Sequence, residues 1–188
     1  MGKTLFISDL HFGHKNVLRY DNRPFNSIEE NDSTIINNWN SKVDGEDDVY
    51  ILGDVSFGSV NKTIELLSAM NGRKHLIVGN HDHKALKNFA YRNCFVEIEK
   101  YLDLQIDGVT LVLCHYPILM YNHQHRGAYM FYGHVHNSND YFMVKAAQDL
   151  LRNNNIKTRM LNVGCMEQNY TPLTLEECIE KVKRDEEW

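Results

Sequence analysis

Proline is scarce in this 188-residue chain, with three residues, and cysteine is limited to four scattered positions. Cys94, Cys114, Cys165 and Cys178 form no C-x-x-C pair. That excludes a small disulfide-stapled scaffold and leaves free, packed thiols in a reducing cytosol as the expectation. No apolar run approaches the roughly 18–20 residues of a membrane span. The apolar stretch after Met1-Gly2-Lys3 meets Asp9 too soon for a signal peptide, so a cytoplasmic protein without membrane contact is expected. A low-complexity linker, an internal repeat and a long block of charge are also missing, and residues 1–188 read as one domain. There is no dense basic tract and the formal charge is −5, which argues against high-affinity duplex binding and admits nucleic acid only as substrate. No protein partner is evident. What the chain has instead is ten histidines, and their positions carry the functional reading.

Six short runs are β-branched or aromatic enough to be buried strands. Five of them, residues 4–9, 48–54, 75–80, 109–115 and 128–134, end in a carboxylate, an amide or an imidazole. The sixth, residues 158–164, has the same shape without such an end. Helical patterns lie between them. Ile28, Ile35, Ile36, Trp39 and Val43 mark one apolar face, and Val60, Ile64, Leu67 and Met70 another. A third helix opens on a capping box, Thr174 with Glu177, and turns Leu175, Ile179 and Val182 inward. Strands alternating with helices predict an α/β fold with a sheet covered on its faces. Residues 96–111 read as antiparallel strands, so the sheet is expected to be mixed. Residues 138–157 show no clear period beyond a short helix over 145–152.

In open α/β sheets, ligands bind beyond the carboxyl ends of the strands. Those ends here carry Asp9 and His11, Asp54, Asn80 with His81 and Asp82, His115, and His134 with His136. Carboxylate, amide and imidazole together are the donor inventory of a hard-to-borderline divalent metal site. In D-x-H and H-x-H, residues i and i+2 of an extended segment project to the same face, so each pair can grip one ion. Taken singly, Gly53-Asp54 is a common turn ending, Gly79-Asn80 a tight turn and His115 a hydrogen-bonded core histidine. Two buried imidazoles at Gly133-His134-Val135-His136 are harder to explain that way, because without partners they carry a desolvation cost. Five such coincidences in one chain favour a metal centre.

In this order the five clusters resemble the calcineurin-like metallophosphoesterase superfamily, whose pattern runs D-x-H, G-D, G-N-H-[DE], H, G-H-x-H. The matching residues are Asp9-Leu10-His11, Gly53-Asp54, Gly79-Asn80-His81-Asp82, His115 and Gly133-His134-Val135-His136. The resemblance implies a sandwich of two mixed β-sheets flanked by helices. It implies that Asp9, His11 and His136 hold one divalent ion, that Asn80, His115 and His134 hold a second, and that Asp54 bridges them. Manganese is the expected metal, with iron or zinc also compatible with these donors. The chain lacks the D-R-G continuation of serine/threonine protein phosphatases, having Val55-Ser56-Phe57 after Asp54, and shows G-N-H-D where they have G-N-H-E. Both differences point to a compact phosphodiesterase-like member, and the segment from Asp9 to Phe25 is similar to small bacterial and phage members.

The expected reaction is hydrolysis of a small phosphorylated substrate, a phosphodiester by preference, by a hydroxide shared between the two ions. His81 follows a ligand directly and has no metal role of its own, so it is the candidate general acid for the leaving oxygen. Asp82 either orients His81 or supports a ligand, with turn capping as the alternative. Of His14, Lys15, Arg19 and Arg23 in the loop after the first strand, Arg23 is the expected substrate contact. His123, His125 and Arg126 are placed near the mouth, as substrate contacts or surface residues, and His75 and His83 are structural or solvent-exposed. Two other readings share the motifs: a nuclease using the same site, and a non-catalytic metal-bound scaffold. The scaffold is disfavoured because no ligand position, nor His81, is missing.

Overall fold

The computed structural model describes residues 2–186; Met1, Glu187 and Trp188 of the expected 1–188 domain lie outside it. In chain order the elements are β1 (Thr4–Ile7), α1 (Val17–Tyr20), α2 (Ile28–Lys42), β2 (Asp48–Ile51), α3 (Val60–Ser68) and β3 (Arg73–Ile77). They continue with α4 (Phe89–Arg92), β4 (Ile98–Glu99), β5 (Tyr101–Ile106), β6 (Val109–Cys114) and β7 (Tyr129–Tyr132). The chain closes with α5 (Asn139–Asn153), β8 (Met160–Asn162), β9 (Leu173–Thr174) and α6 (Leu175–Glu186).

Two mixed sheets face each other. The first has the order β4-β3-β2-β1-β9, with β9 antiparallel to β1 and the rest parallel. The second has the order β5-β6-β7-β8, with β5 antiparallel to β6. Strand alternation decides what each face buries. Phe6, Tyr50 and Leu52 of the first sheet meet Leu111, Leu113 and Phe131 of the second, and α6 closes that layer with Leu175, Cys178 and Val182. The opposite face of the first sheet, with Leu5, Ile7, Val49 and Ile51, packs on Ile35 and Trp39 of α2 and Leu67 of α3. The outer face of the second sheet buries Val112, Cys114, Met130 and Tyr132 against Tyr121 and Val144.

The longer helices begin where side chains satisfy their free N–H groups. Ser27 accepts from Glu30 N, Ser59 from Lys62 N and Ser138 from Asp140 N. At α6 the capping box is reciprocal, with Thr174 N donating to Glu177 Oε2 and Glu177 N donating to Thr174 Oγ1. Two sequence expectations need correction. Within 96–111, only β5 is antiparallel, paired to β6 through an Asp107-Gly108 turn with both φ positive; β4 runs parallel to β3. In 138–157 the helix is fifteen residues, not eight, because exposed Phe142, Met143 and Leu150 blur the apolar stripe that Val144 and Leu151 turn inward.

The two sheets are joined where their parallel strands end. Ser8 N donates to Val163 O, and Cys165 N donates to Ser8 O across a parallel bridge between Ser8 and Gly164. That junction brings the carboxyl ends of β1, β2, β3, β6 and β7 around one opening.

Candidate metal centre

All seven expected ligands follow strands of these two sheets, but they do not converge as extended segments. Asp9, His11, Asp54, His134 and His136 all have positive φ, between 40° and 73°. Each therefore sits in the left-handed region, which costs non-glycine residues roughly 1 kcal/mol or more and concentrates at functional sites. Strand alternation, the reason expected for the D-x-H and H-x-H spacings, is thus replaced by tight left-handed turns that fold both members of each pair inward. The glycines before two ligands make room for this. A Cβ on Gly53 would lie 2.6 Å from His115 Nδ1, and one on Gly133 would lie 2.5 Å from Asp9 Oδ2.

On one side, ligand atoms of Asp9, His11, Asp54 and His136 all lie within 4.8 Å of one another. Asp9 Oδ1 is 3.8 Å from His11 Nε2 and 3.6 Å from His136 Nε2, and these two nitrogens face each other at 3.1 Å. Asp54 stands between the halves, with Oδ2 3.8 Å from His11 Nε2 and 3.6 Å from His115 Nε2. On the other side, His115 Nε2 is 3.0 Å from Asn80 Oδ1, and the His134 ring centre lies 5.1 Å from that of His115. The His134 backbone N–H donates to Asp9 Oδ2 at 3.0 Å, tying the second half to the first.

The donor chemistry shows what this arrangement is missing. His115 donates Nδ1–H to Leu52 O at 2.7 Å, which leaves the Nε2 lone pair facing Asn80 Oδ1 and Asp54 Oδ2. His136 donates Nδ1–H to Asp21 at 3.0 Å, which turns its Nε2 towards His11 and Asp9. Asp9 Oδ1 is buried with no hydrogen-bond partner. Acceptors aimed at acceptors in a buried cluster are unfavourable without positive charge between them, and divalent cations supply it. Burial holds the Asp54 carboxyl above the usual carboxylate range, with Asp9 and Asp82 adding to the effect against His115 and the His81 N–H. Burial also drives His11 well below the ordinary imidazole value, helped by His136 and Arg23, and lowers His134. Neutral imidazole is the ligating form. The residues fit a cation centre of nitrogen and oxygen donors.

Around the ligands, three residues do work that the sequence did not assign to them. Arg23 is not a substrate contact. Its side chain is fully buried and all five of its N–H groups are used, on Asp9 O, Leu10 O, Asn31 Oδ1 and twice on Asp21 Oδ2. Asp21, which sequence reasoning missed, passes this hold to His136. Burial alone would raise Asp21 and lower His136, but their mutual hydrogen bond reverses both shifts, with Arg23 reinforcing Asp21 and Asp9 reinforcing His136. The signal was the D-x-R spacing of Asp21 and Arg23, which resembled an ordinary solvated loop. Asp82 does not hydrogen-bond the His81 ring; its carboxylate accepts from Asp54 N, Val55 N and Gly79 N, clamping the ends of β2 and β3 together.

His81 is 43% exposed at the side chain, with Nε2 3.9 Å from Asp54 Oδ2. Its backbone N–H donates to Asp54 Oδ1 at 2.9 Å, and the Phe57 ring lies 4.4 Å from its own. His14 stacks on Phe57 at 4.0 Å. His123 and Arg126 lie elsewhere than expected, in a cavity of about 630 Å3 lined by Gly108, Val109 and Tyr129, at the amino ends of β6 and β7. Six residues of strand place that cavity about 20 Å from the centre. His125 lines a separate cavity with Ile156 and Lys157, which none of the expected ligands lines.

Comparison with known proteins agrees with this geometry. The calcineurin-like phosphoesterase superfamily domain matches residues 3–184. An uncharacterised protein of Methanocaldococcus jannaschii is 32% identical over 98% of this chain and 93% of its own length. The gene 66 protein of Mycobacterium phage L5 is 45% identical over 85 residues, 44% of this chain and 41% of that one. A solved structure of a protein of unknown function from Aquifex aeolicus superimposes with a TM-score of 0.70 at 26% identity, covering 97% of this chain and all of its own. With a buried His/Asp cluster suited to a metal ion at the carboxyl ends of its strands, the chain belongs to the calcineurin-like phosphoesterase superfamily of metal-dependent hydrolases acting on phosphoric ester bonds.

Proposed function

We propose that the protein is a cytoplasmic phosphodiesterase working at two divalent ions, manganese by preference, with His81 as general acid. The observation that carries this reading is the convergence of buried ligand atoms, one of them, Asp9 Oδ1, without a hydrogen-bond partner. Asp9, His11, Asp54 and His136 face one another on one side, and His115, Asn80 and Asp54 on the other. Asp54 belongs to both groups and would be the ligand shared between the two ions. Held there, divalent ions supply Lewis acidity to the phosphoryl oxygens and bring the pKa of a water towards about 7. The chain does the rest. Left-handed turns and the Arg23–Asp21–His136 chain fix the ligand geometry before substrate arrives. His81 is exposed at the mouth, anchored through its backbone to Asp54 and braced by Phe57, so it can hand its proton to the departing alkoxide. General-acid help of this kind contributes roughly 10²–10⁴-fold.

The test is hydrolysis of bis(p-nitrophenyl) phosphate by chelator-treated protein, followed by titration with Mn2+, Fe2+ and Zn2+ and metal counting. Activity is expected to disappear on chelation and return with close to two ions bound, manganese being most effective. Full turnover in metal-free protein would refute the proposal.

A further inference from the structure

Residue 100 is where the chain changes sheets. Glu99 ends β4, paired parallel with Ile77 of β3, and Tyr101 opens β5, paired antiparallel with Cys114 of β6. The crossing leaves a cavity of about 310 Å3 lined by Val78, Gly79, His83, Lys100, Cys114 and Tyr116. Gly79 directly precedes Asn80 and Cys114 directly precedes His115, so the cavity lies beside that half of the centre. Tyr116 forms the shared wall. It is 44% exposed, and its ring meets those of His134 at 4.6 Å and His115 at 5.1 Å in steep, edge-type contacts. Lys100 and His83 are exposed and make no hydrogen bond or ion pair among the described residues, in a chain whose formal charge is −5.

Building on the phosphodiesterase reading above, we propose that this cavity is a nucleotide subsite. One nucleotide unit of the substrate lays its base on Tyr116 and turns its outer phosphate to Lys100 and His83, while the scissile phosphate reaches the centre. The volume sits at the lower end of the roughly 300–1,000 Å3 typical of small-molecule sites, suiting one such unit. An aromatic face and two unpaired basic side chains ask for a planar group and a second anion in one ligand. A simple sugar phosphate leaves Tyr116 unused, and an apolar ester leaves Lys100 and His83 unanswered. Stacking on an aromatic side chain is tolerant of base identity, so broad base preference is expected.

Two measurements test this. Thymidine 3′,5′-bisphosphate is titrated into chelator-treated full-length protein by calorimetry, with inorganic phosphate as reference. In parallel, hydrolysis of methyl p-nitrophenyl phosphate, which has neither base nor second anion, is followed in manganese-loaded protein. The bisphosphate is expected to bind roughly tenfold or more tightly than phosphate, with Tyr116→Ala losing most of that margin and Tyr116→Phe keeping it. Lys100→Gln is expected to weaken binding several-fold and to flatten its salt dependence. Absence of bisphosphate binding, or binding unchanged in Tyr116→Ala, overturns the subsite whether or not the methyl ester is hydrolysed. Binding with the expected dependence in a protein that hydrolyses no diester supports the subsite and refutes the phosphodiesterase reading instead.

Discussion

Strands β2 and β3 have Asp and His residues near both ends, and the two ends behave oppositely. At the amino end, Asp48 takes two hydrogen bonds from Arg73, at 2.8 and 2.6 Å, and its Oδ1 lies 2.8 Å from His75 Nε2. The other ring nitrogen of His75 lies 2.8 Å from Glu97 Oε1, and the ring stacks on Tyr50. The His75 ring lies between two carboxylates there and Arg73 beside one of them, so the negative groups already have N–H partners beside them. At the carboxyl end, Asp54, Asn80 and His115 present acceptors to one another, and Asp9 Oδ1 has no partner. The same residue types therefore make a structural ion cluster or a metal centre according to how donors and acceptors are matched. Room is a poorer guide: the 630 Å3 cavity beside His123 and Arg126 is roomier than the groove beside the ligands, yet holds none of them.

The largest expected break in this comparison is Asp54→Asn. It should empty both ion positions and cost more turnover than the roughly 10²–10⁴-fold of a lost general acid. In metal-free protein near neutral pH the same change should raise stability by roughly 0.5–2 kcal/mol, because a carboxyl whose folded pKa is raised destabilises the fold when ionised. Metal counting and denaturant melts of chelated protein check both halves; two ions still bound, or a less stable apo protein, would contradict the assignment.

Next in size is His81→Ala, which should keep both ions and lose roughly 10²–10⁴-fold in kcat with alkyl or nucleoside leaving groups. The loss should shrink for activated aryl leaving groups, which depart without a proton. A kcat series across leaving-group pKa decides this, and an equal loss across the series would show that His81 only binds phosphate.

Asp21→Asn sharpens the contrast from behind the ligands. It removes the charge holding His136 and should weaken metal affinity by roughly 10–100-fold, as outer-shell partners do. Arg126→Ala, in the distant cavity, should leave affinity unchanged. Equal affinities for both variants by competition with a chelator would mean that Asp21 does not position His136.

The smallest effect belongs to the matched end. Burial would raise Asp48, but hydrogen bonds from Arg73 and His75 outweigh it and hold its carboxyl below the usual range. A depressed folded pKa contributes stability that is present above the unfolded value near 3.9 and is lost as pH falls through the folded one. Asp48→Asn should accordingly cost about 1 kcal/mol at pH 7 and progressively less below about pH 4. A penalty that is constant with pH would contradict the ion-cluster reading.

The six strand runs, the helical face of α2, the capping box of α6 and the polar ends of five strands were all legible from residue order, because periodicity and turn residues are local properties. The positive φ of Asp9, His11, His134 and His136 was not legible, since nothing in D-x-H or H-x-H distinguishes an extended segment from two left-handed residues. Arg23 was misplaced for a related reason. Arginine in a loop is ordinarily solvated, and only the return of α2 and its Asn31 over that loop buries it.

By itself the sequence determined which side chains could serve as ligands, and that they follow strands in the order of a metallophosphoesterase. Tertiary structure decided the rest: that the Ser8–Gly164 junction brings two sheets' strand ends to one opening, that Asp48 is paired with Arg73 while Asp9 Oδ1 has no hydrogen-bond partner, and that residue 100 leaves a groove as it crosses between sheets. The physical reason is that donor identity resides in each residue, whereas burial and the matching of a donor to an acceptor exist only between residues far apart in the chain.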